Sequence, residues 1–246
     1  MVQGSKPYEI KKITAAVERR GTGAQIQIER LLDIALKFHQ GGSLPEAEKI
    51  YREVLRVDFE HADAWHLLGV ITLQSGYHDV ARELIEEALA INPDEAVYHN
   101  NLGNVYRNIG DLERALRCYD RALSLKPDYV EAHYNRATIL RDQRRFDEAV
   151  ESYRVALRLH PLTEIMNDLA GTLAQAGDLP AAIECFRQAL KLQPDDPAIH
   201  FNLALVLEQR GDMDGAIDCY RRVLELDPRY AAASARLSEL CNQSSR

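Results

Sequence analysis

Residues 98–127 read YHNNLGNVYRNIGDLERALRCYDRALSLKP. Leu102, Gly103, Tyr106 and Ile109 recur at the spacing of a helical packing face, and Ala115, Tyr119 and Ala122 do so in the second half. Between the halves stand Gly110, where a helix end calls for a left-handed residue, and Asp111, a candidate N-cap. Two helices joined by a tight turn are the prediction. The first of them carries Asn100, Asn101, Asn104 and Asn108, although asparagine's amide competes for backbone groups and makes it a poor helix former.

The same pattern extends in both directions. Pro93, Pro127, Pro161, Pro194 and Pro228 are spaced by 34, 34, 33 and 34 residues. Ala47, Ala81, Ala115, Ala149, Ala182 and Ala216 keep the same register. So do the small residues Ala35, Gly69, Gly103, Ala137, Ala170 and Ala204, and the larger Tyr51, Ile85, Tyr119, Tyr153, Phe186 and Tyr220. A fixed period of this length marks a repeat array. Six units follow: 28–61, 62–95, 96–129, 130–162, 163–196 and 197–230, the fourth one residue short between Pro161 and Ala170. Gly42, Gly76, Gly177 and Gly211 repeat the turn glycine, Ser43, Asp178 and Asp212 the N-cap, and Pro45 and Pro180 suit a first helical turn.

This pattern resembles the tetratricopeptide repeat family. Trp65, Leu68, Gly69, Ala81, Ala88 and Pro93 match its signature, as do Leu102, Gly103, Tyr106, Ala115, Tyr119, Ala122 and Pro127. The resemblance covers residues 28–230 and implies an all-α, right-handed superhelical solenoid of six helix-turn-helix repeats, with the first helix of each pair lining the concave side. Residues 231–246 are expected to form a capping helix and tail, with Ala233, Leu237 and Leu240 on one face. In residues 1–27, Ile10, Ile13 and Val17 suggest a short amphipathic helix closing at Gly21, a leader or extra cap.

The chain has 246 residues, 46% hydrophobic and 28% charged, with a formal net charge of −8. That composition fits a folded chain, and an acidic balance offers no global field for nucleic acid or anionic membrane. Residues 1–27 run against it, with Lys6, Lys11, Lys12, Arg19 and Arg20 facing only Glu9 and Glu18. The longest apolar run, LLGVITL, is too short to span a membrane, and the start lacks a signal peptide's apolar core. A cytoplasmic protein, or a piece of a larger one, is expected. Cys118, Cys185, Cys219 and Cys241 form no C-x-x-C pair, so reduced thiols are expected.

With about 100° per residue, Asn100, Asn104, Asn108 and Asn101 fall on one arc of the helix, away from Tyr98, Leu102, Val105, Tyr106 and Ile109. Positions equivalent to Asn101 are Asp33, Leu67, Asn135, Asp168 and Asn202. An amide offers a donor and an acceptor, matching the two groups of an extended peptide backbone. The ladder is similar to that lining the repeat superhelix of O-linked N-acetylglucosamine transferases, where such asparagines hold extended polypeptides. That likeness carries to Asn101, Asn135 and Asn202; it lapses at Leu67, and Asp33 and Asp168 turn amide into carboxylate. The stretch AEKIYREVLRVDFEHADAWHLLGV also resembles repeat segments of bacterial proteins of that type. A carboxylate clamp for chaperone tails needs basic residues on consecutive first helices; Asp63, His66, Val97, Asn100 and Glu131 stand there instead, which excludes it.

His99, His133 and His200 share one repeat position with Trp65 and lack ligand spacing, so packing and hydrogen bonding are expected rather than a metal. Arg136 stands where Ile34, Leu68, Leu102, Leu169 and Leu203 stand elsewhere, and is expected to reach a carboxylate or a bound anion. With Arg141, Arg144 and Arg145 it makes the fourth unit the basic spot of the array. No phosphate loop, zinc-protease or nucleophile-elbow motif is present, and neither catalysis nor a cofactor is expected.

The expectation is therefore a non-catalytic scaffold holding a protein or peptide partner in a concave groove. Its contacts are Asn101, Asn104, Asn108, Asn135 and Asn202, with Arg107 and Arg141 as ionic anchors and Tyr134 setting side-chain preference. Two alternatives stand beside it: the substrate-recruiting arm of a bacterial glycosyltransferase-like enzyme, and a module that assembles into homo-oligomers.

Overall fold

The computed structural model describes residues 22–244. The leader positions Ile10, Ile13 and Val17 lie outside the described residues. Thirteen helices and no strand occur among those described. Residues up to Pro127 form one compact unit and those from Asp128 a second. In the first, α1 (Thr22–Gln40) pairs with α2 (Leu44–Val57), α3 (Ala62–Gln74) with α4 (His78–Ile91), and α5 (Ala96–Asn108) with α6 (Leu112–Leu125). In the second, α7 (Val130–Asp142) pairs with α8 (Phe146–Leu159), α9 (Thr163–Ala176) with α10 (Leu179–Leu192), and α11 (Pro197–Arg210) with α12 (Met213–Leu226). The last helix, α13 (Ala231–Ser244), packs on α12 through the buried Ala233 and Leu240.

Each hairpin closes on small residues. The alanines at 47, 81, 115, 149, 182 and 216 are all 0% exposed. At Gly103 the approach is closest, for a Cβ built there would lie 2.5 Å from Tyr119 Cε1. Successive first helices also meet within each unit, α3 with α5 and α9 with α11. The α8–α9 connection has three residues (160–162) where the other described inter-hairpin connections have four, at the place where the proline spacing drops to 33. A turn absorbs the shortening without disturbing either helix.

The hairpin turns share one hydrogen-bond pattern. In each hairpin turn the N–H directly after the left-handed residue donates back to a carbonyl five residues earlier, as in Asp111 N to Tyr106 O at 2.9 Å and Asp178 N to Leu173 O at 2.9 Å. This Schellman closure needs a left-handed residue before the donor. Gly42, Gly76, Gly110, Gly177 and Gly211 supply it with φ between 77° and 91°. In the α7–α8 turn the same bond, Arg145 N to Leu140 O at 2.8 Å, forces Arg144 to φ 61°. An L side chain there costs about 1–2 kcal/mol, partly offset by the lower entropy of a non-glycine unfolded chain. Arg144→Gly is therefore expected to raise the unfolding free energy by about 0.5–1 kcal/mol in urea titration. Asp111, Asp178 and Asp212 accept from backbone N–H groups as N-caps, whereas Ser43 makes no side-chain cap.

Two second-helix tyrosines are matched to the residue fifteen places upstream. Tyr119's hydroxyl donates to Asn104 Oδ1 at 2.8 Å, and the Tyr153 hydroxyl lies 3.3 Å from Thr138 Oγ1. The buried hydroxyl of Tyr51 has no hydrogen-bond partner, and burial pushes its pKa up to about 12. Tyr→Phe should thus change sign with position. Tyr51→Phe is expected to stabilise by about 1 kcal/mol, because an orphaned polar group leaves the core. Tyr119→Phe is expected to destabilise by about as much, because the Asn104 carbonyl loses its donor. Urea midpoints of the two variants check the contrast.

Candidate partner-binding face

The predicted contact residues all lie on first helices, and the structure shows how each is held. Asn101, in α5, donates through Nδ2 to His66 Nε2 of α3 at 2.8 Å. That bond assigns the His66 proton to Nδ1. His66 is 6% exposed and stacks on the Tyr98 ring with centroids 4.5 Å apart, while Tyr98's hydroxyl donates to Asp63. Burial drives the His66 pKa down to about 4, against a smaller opposing pull from the Asp63 charge. The Asn101 carbonyl in turn accepts from Asn100 Nδ2 and Asn104 Nδ2, both at 3.4 Å.

The second unit repeats the joint. Tyr134 of α7 donates its hydroxyl to Asp168 Oδ2 of α9 at 2.7 Å, with Glu164 Oε1 at 3.4 Å. Arg141 Nη1 stands 3.6 Å from the other Asp168 oxygen, and Arg141 also pairs with Asp142 at 3.2 Å. Asn202 of α11 donates to Asn167 Oδ1 of α9 at 2.9 Å. In each case one repeat's residue bonds to the residue one register place further along in the next repeat. The corresponding pair at the start of the array is Leu32 and Leu67, both half-buried against one apolar core. Both register places are hydrocarbon there, so the polar pairing of the later repeats has no counterpart at Leu67.

Asn101 and Asn202 thus join neighbouring first helices, whereas Asn104 bonds within its own hairpin, to Asn101 and to the Tyr119 hydroxyl. Asn101, Asn104, Asn135 and Asn202 are half-buried, as are Arg107, Tyr134 and Arg141, and Asn108 is exposed at the end of α5. Two placements from the helical wheel are corrected. Asn100 is 4% exposed, because α5 packs against α3, α4 and α6 and so buries a wider arc than a single partner would cover. Ile109 is 42% exposed, because the helix ends at Asn108 and Ile109 is its C-cap.

Arg136, predicted to reach a carboxylate or a bound anion, has a hydroxyl among its partners. Its guanidinium donates to the buried Ser152 hydroxyl at 2.6 Å, and Ser152 donates to Glu148 O at 2.9 Å. The equivalent pairs are Leu102 with Cys118, Leu169 with Cys185 and Leu203 with Cys219, so leucine and cysteine have been exchanged together for arginine and serine. The remaining cysteines of this set are half-buried, and burial raises the Cys118 and Cys185 thiols to about 11, away from thiolate reactivity.

His99 and His200 each place Nε2 2.8 Å from the carbonyl of the proline six residues earlier, Pro93 and Pro194. Trp65 Nε1 donates to Phe59 O at 2.8 Å from the same register place. These rings clip the inter-hairpin turns. Among the described residues no cluster of His, Cys, Asp and Glu is placed to hold a metal, and no helix is long and apolar enough to cross a membrane.

Comparison with solved structures places this geometry among tetratricopeptide proteins. PilW, a widely conserved type IV pilus biogenesis factor, is similar with a TM-score of 0.76 at 20% identity, covering 85% of this chain and 98% of that one. PilF of Pseudomonas aeruginosa gives 0.74 at 19% identity, over 86% and 97% of the two chains. MamA from residue 41 onward, of Desulfovibrio magneticus RS-1, gives 0.65 at 20% identity, over 69% and 96%. At these identities the likeness is one of fold. No curated protein matches the chain significantly. The family model for the cilia and flagella-associated protein 70 C-terminal domain, a tetratricopeptide-repeat domain, matches residues 6–243. The chain therefore belongs to the tetratricopeptide-repeat family of the cilia and flagella-associated protein 70 C-terminal domain.

Proposed function

We propose that this chain is a non-catalytic scaffold whose first helices hold an extended segment of a protein partner. The repeat fold, shared with PilW, PilF and MamA, supports a protein-interaction role. The observation that carries the finer reading is the hydrogen-bonding capacity beyond the inter-helix joints. An amide has two N–H groups and two lone pairs. Asn202 commits one N–H to Asn167, and the half-buried Asn101 commits one to His66, so each keeps a second for a ligand. In the first unit the contacts are Asn101, Asn104, Asn108 and Arg107; in the second they are Tyr134, Asn135, Arg141 and Asn202. The same face would serve a recruiting arm of a glycosyltransferase-like enzyme, a reading supported by the register of Asn101, Asn135 and Asn202 alone.

Site-specific photo-crosslinking tests the placement. A photoreactive residue is introduced at Asn108 or Gln209, exposed at the ends of α5 and α11, and in parallel at Arg117 or Arg154, exposed on α6 and α8. Partner segments captured from lysate are expected on the first-helix probes. Equal or preferential capture on the second-helix probes would remove the reading.

A further inference from the structure

The α7–α8 turn departs from the five other hairpin turns among the described residues. Arg144 occupies the left-handed position that glycine holds in the five others, with φ 61°. The conformational cost of an arginine there is of the order of 1–2 kcal/mol, and any of the five glycines shows how the fold avoids it. Backbone strain of this kind concentrates at binding surfaces.

The side chain does not recover that cost through an internal ion pair. Among the described residues Arg144 has no carboxylate partner, and its guanidinium carbon sits 5.8 Å from the centroid of the Phe146 ring. Neighbouring arginines are committed: Arg145 forks Glu148 with two contacts of 2.7 Å, and Arg141 is shared by Asp142 and Asp168. Arg141, Asp142, Arg144, Phe146 and Gln175 line one open cleft. Phe146 stands where the other second helices begin with leucine, histidine or methionine, so the only aryl ring of that column lies beneath the only arginine of the other.

We propose that this cleft takes a single carboxylate from the partner, an aspartate or glutamate side chain. A guanidinium braced over a ring keeps its N–H edge free for a bidentate carboxylate. Gln175, exposed at the far wall, adds an amide donor. Arg141 already holds two carboxylates, so Arg144 is the cleft's one guanidinium without a carboxylate partner among the described residues, and its planar fork matches the two oxygens of a single carboxylate. The site lies on the turn, apart from the first-helix amides, and it rests on the reading that the chain holds a partner segment.

Random twelve-residue peptides displayed on phage and selected on the full chain provide the probe. Arg144→Gly removes the side chain while giving the turn the residue its backbone favours, so the variant keeps its fold. Selected peptides are expected to share an aspartate or glutamate. Its change to asparagine or glutamine, and Arg144→Gly, are each expected to weaken binding at least about fivefold, with no further loss when combined. Peptides without a shared acid, unchanged affinity for Arg144→Gly, or a phosphoserine peptide binding tenfold tighter than its glutamate counterpart would overturn the carboxylate site and leave the scaffold standing. Failure to select any peptide would remove both.

Discussion

Tyr119→Ala is expected to lower the stability of the first unit by about 3–5 kcal/mol, the range for truncating a fully buried aromatic. The ring is 0% exposed and lies flat against Gly103, the one place where the hairpin's backbones approach so closely that a Cβ would sit 2.5 Å from a ring carbon. Glycine has no side chain with which to relax into the vacated space, so the cavity persists and the cost belongs at the upper end. The hydroxyl's bond to Asn104 is lost as well. Gly103→Ala attacks the same contact from the other side and is expected to cost about 2–3 kcal/mol by overpacking. In a repeat array unfolding can start in one hairpin. Hydrogen exchange therefore checks the effect best: protection should fall in α5 and α6 before the second unit changes.

The second large effect lies at the joint between α3 and α5. Asn101→Leu leaves the buried Nε2 of His66 without a donor and strips an acceptor from Asn100 and Asn104. A loss of about 2–3 kcal/mol is expected, since a buried polar atom left unpaired bears its full desolvation penalty. The joint also ties stability to pH. Folded His66 stays neutral down to about pH 4, whereas in the unfolded chain it takes up a proton near pH 6.5. Between those values the unfolded state binds more protons, so stability is full above pH 6.5 and falls as pH drops towards 4, by about 3 kcal/mol in all. Replacing His66 by leucine should flatten that slope, and the difference between the two pH profiles isolates it from the carboxylates that titrate in the same range.

Much of this fold is legible in single columns of the repeat. The alanines, the turn glycines and the prolines each obey one steric demand that recurs every 34 residues, so listing one position across the units is enough to find them. Arg144 belongs to this class too, as the break in the glycine column. The polar joints do not. Their contacts run diagonally, from His66 to Asn101, from Tyr134 to Asp168 and from Asn167 to Asn202, and a column containing Asn101, Asp168 and Asn202 looks like a free binding stripe until its upstream partners are set beside it. Pairing each residue with the one 34 or 35 places upstream would have exposed the match, including the apolar pair Leu32 and Leu67. Asn100 was beyond a helical wheel for another reason. The wheel gives direction but not the number of helices waiting on each side.

That neighbouring first helices are coupled through matched side chains, before any partner arrives, is the claim on which the binding face depends. A double-mutant cycle on His66 and Asn101 tests it most directly, with urea unfolding of wild type, His66→Leu, Asn101→Leu and the double variant. The double variant puts leucine at the two register places that Leu32 and Leu67 occupy at the start of the array. The expected result is a double variant more stable than Asn101→Leu, with a coupling energy of about 1.5–2 kcal/mol. Additive losses, with coupling below about 0.3 kcal/mol, would contradict the joint and return the asparagines to an ordinary solvated surface.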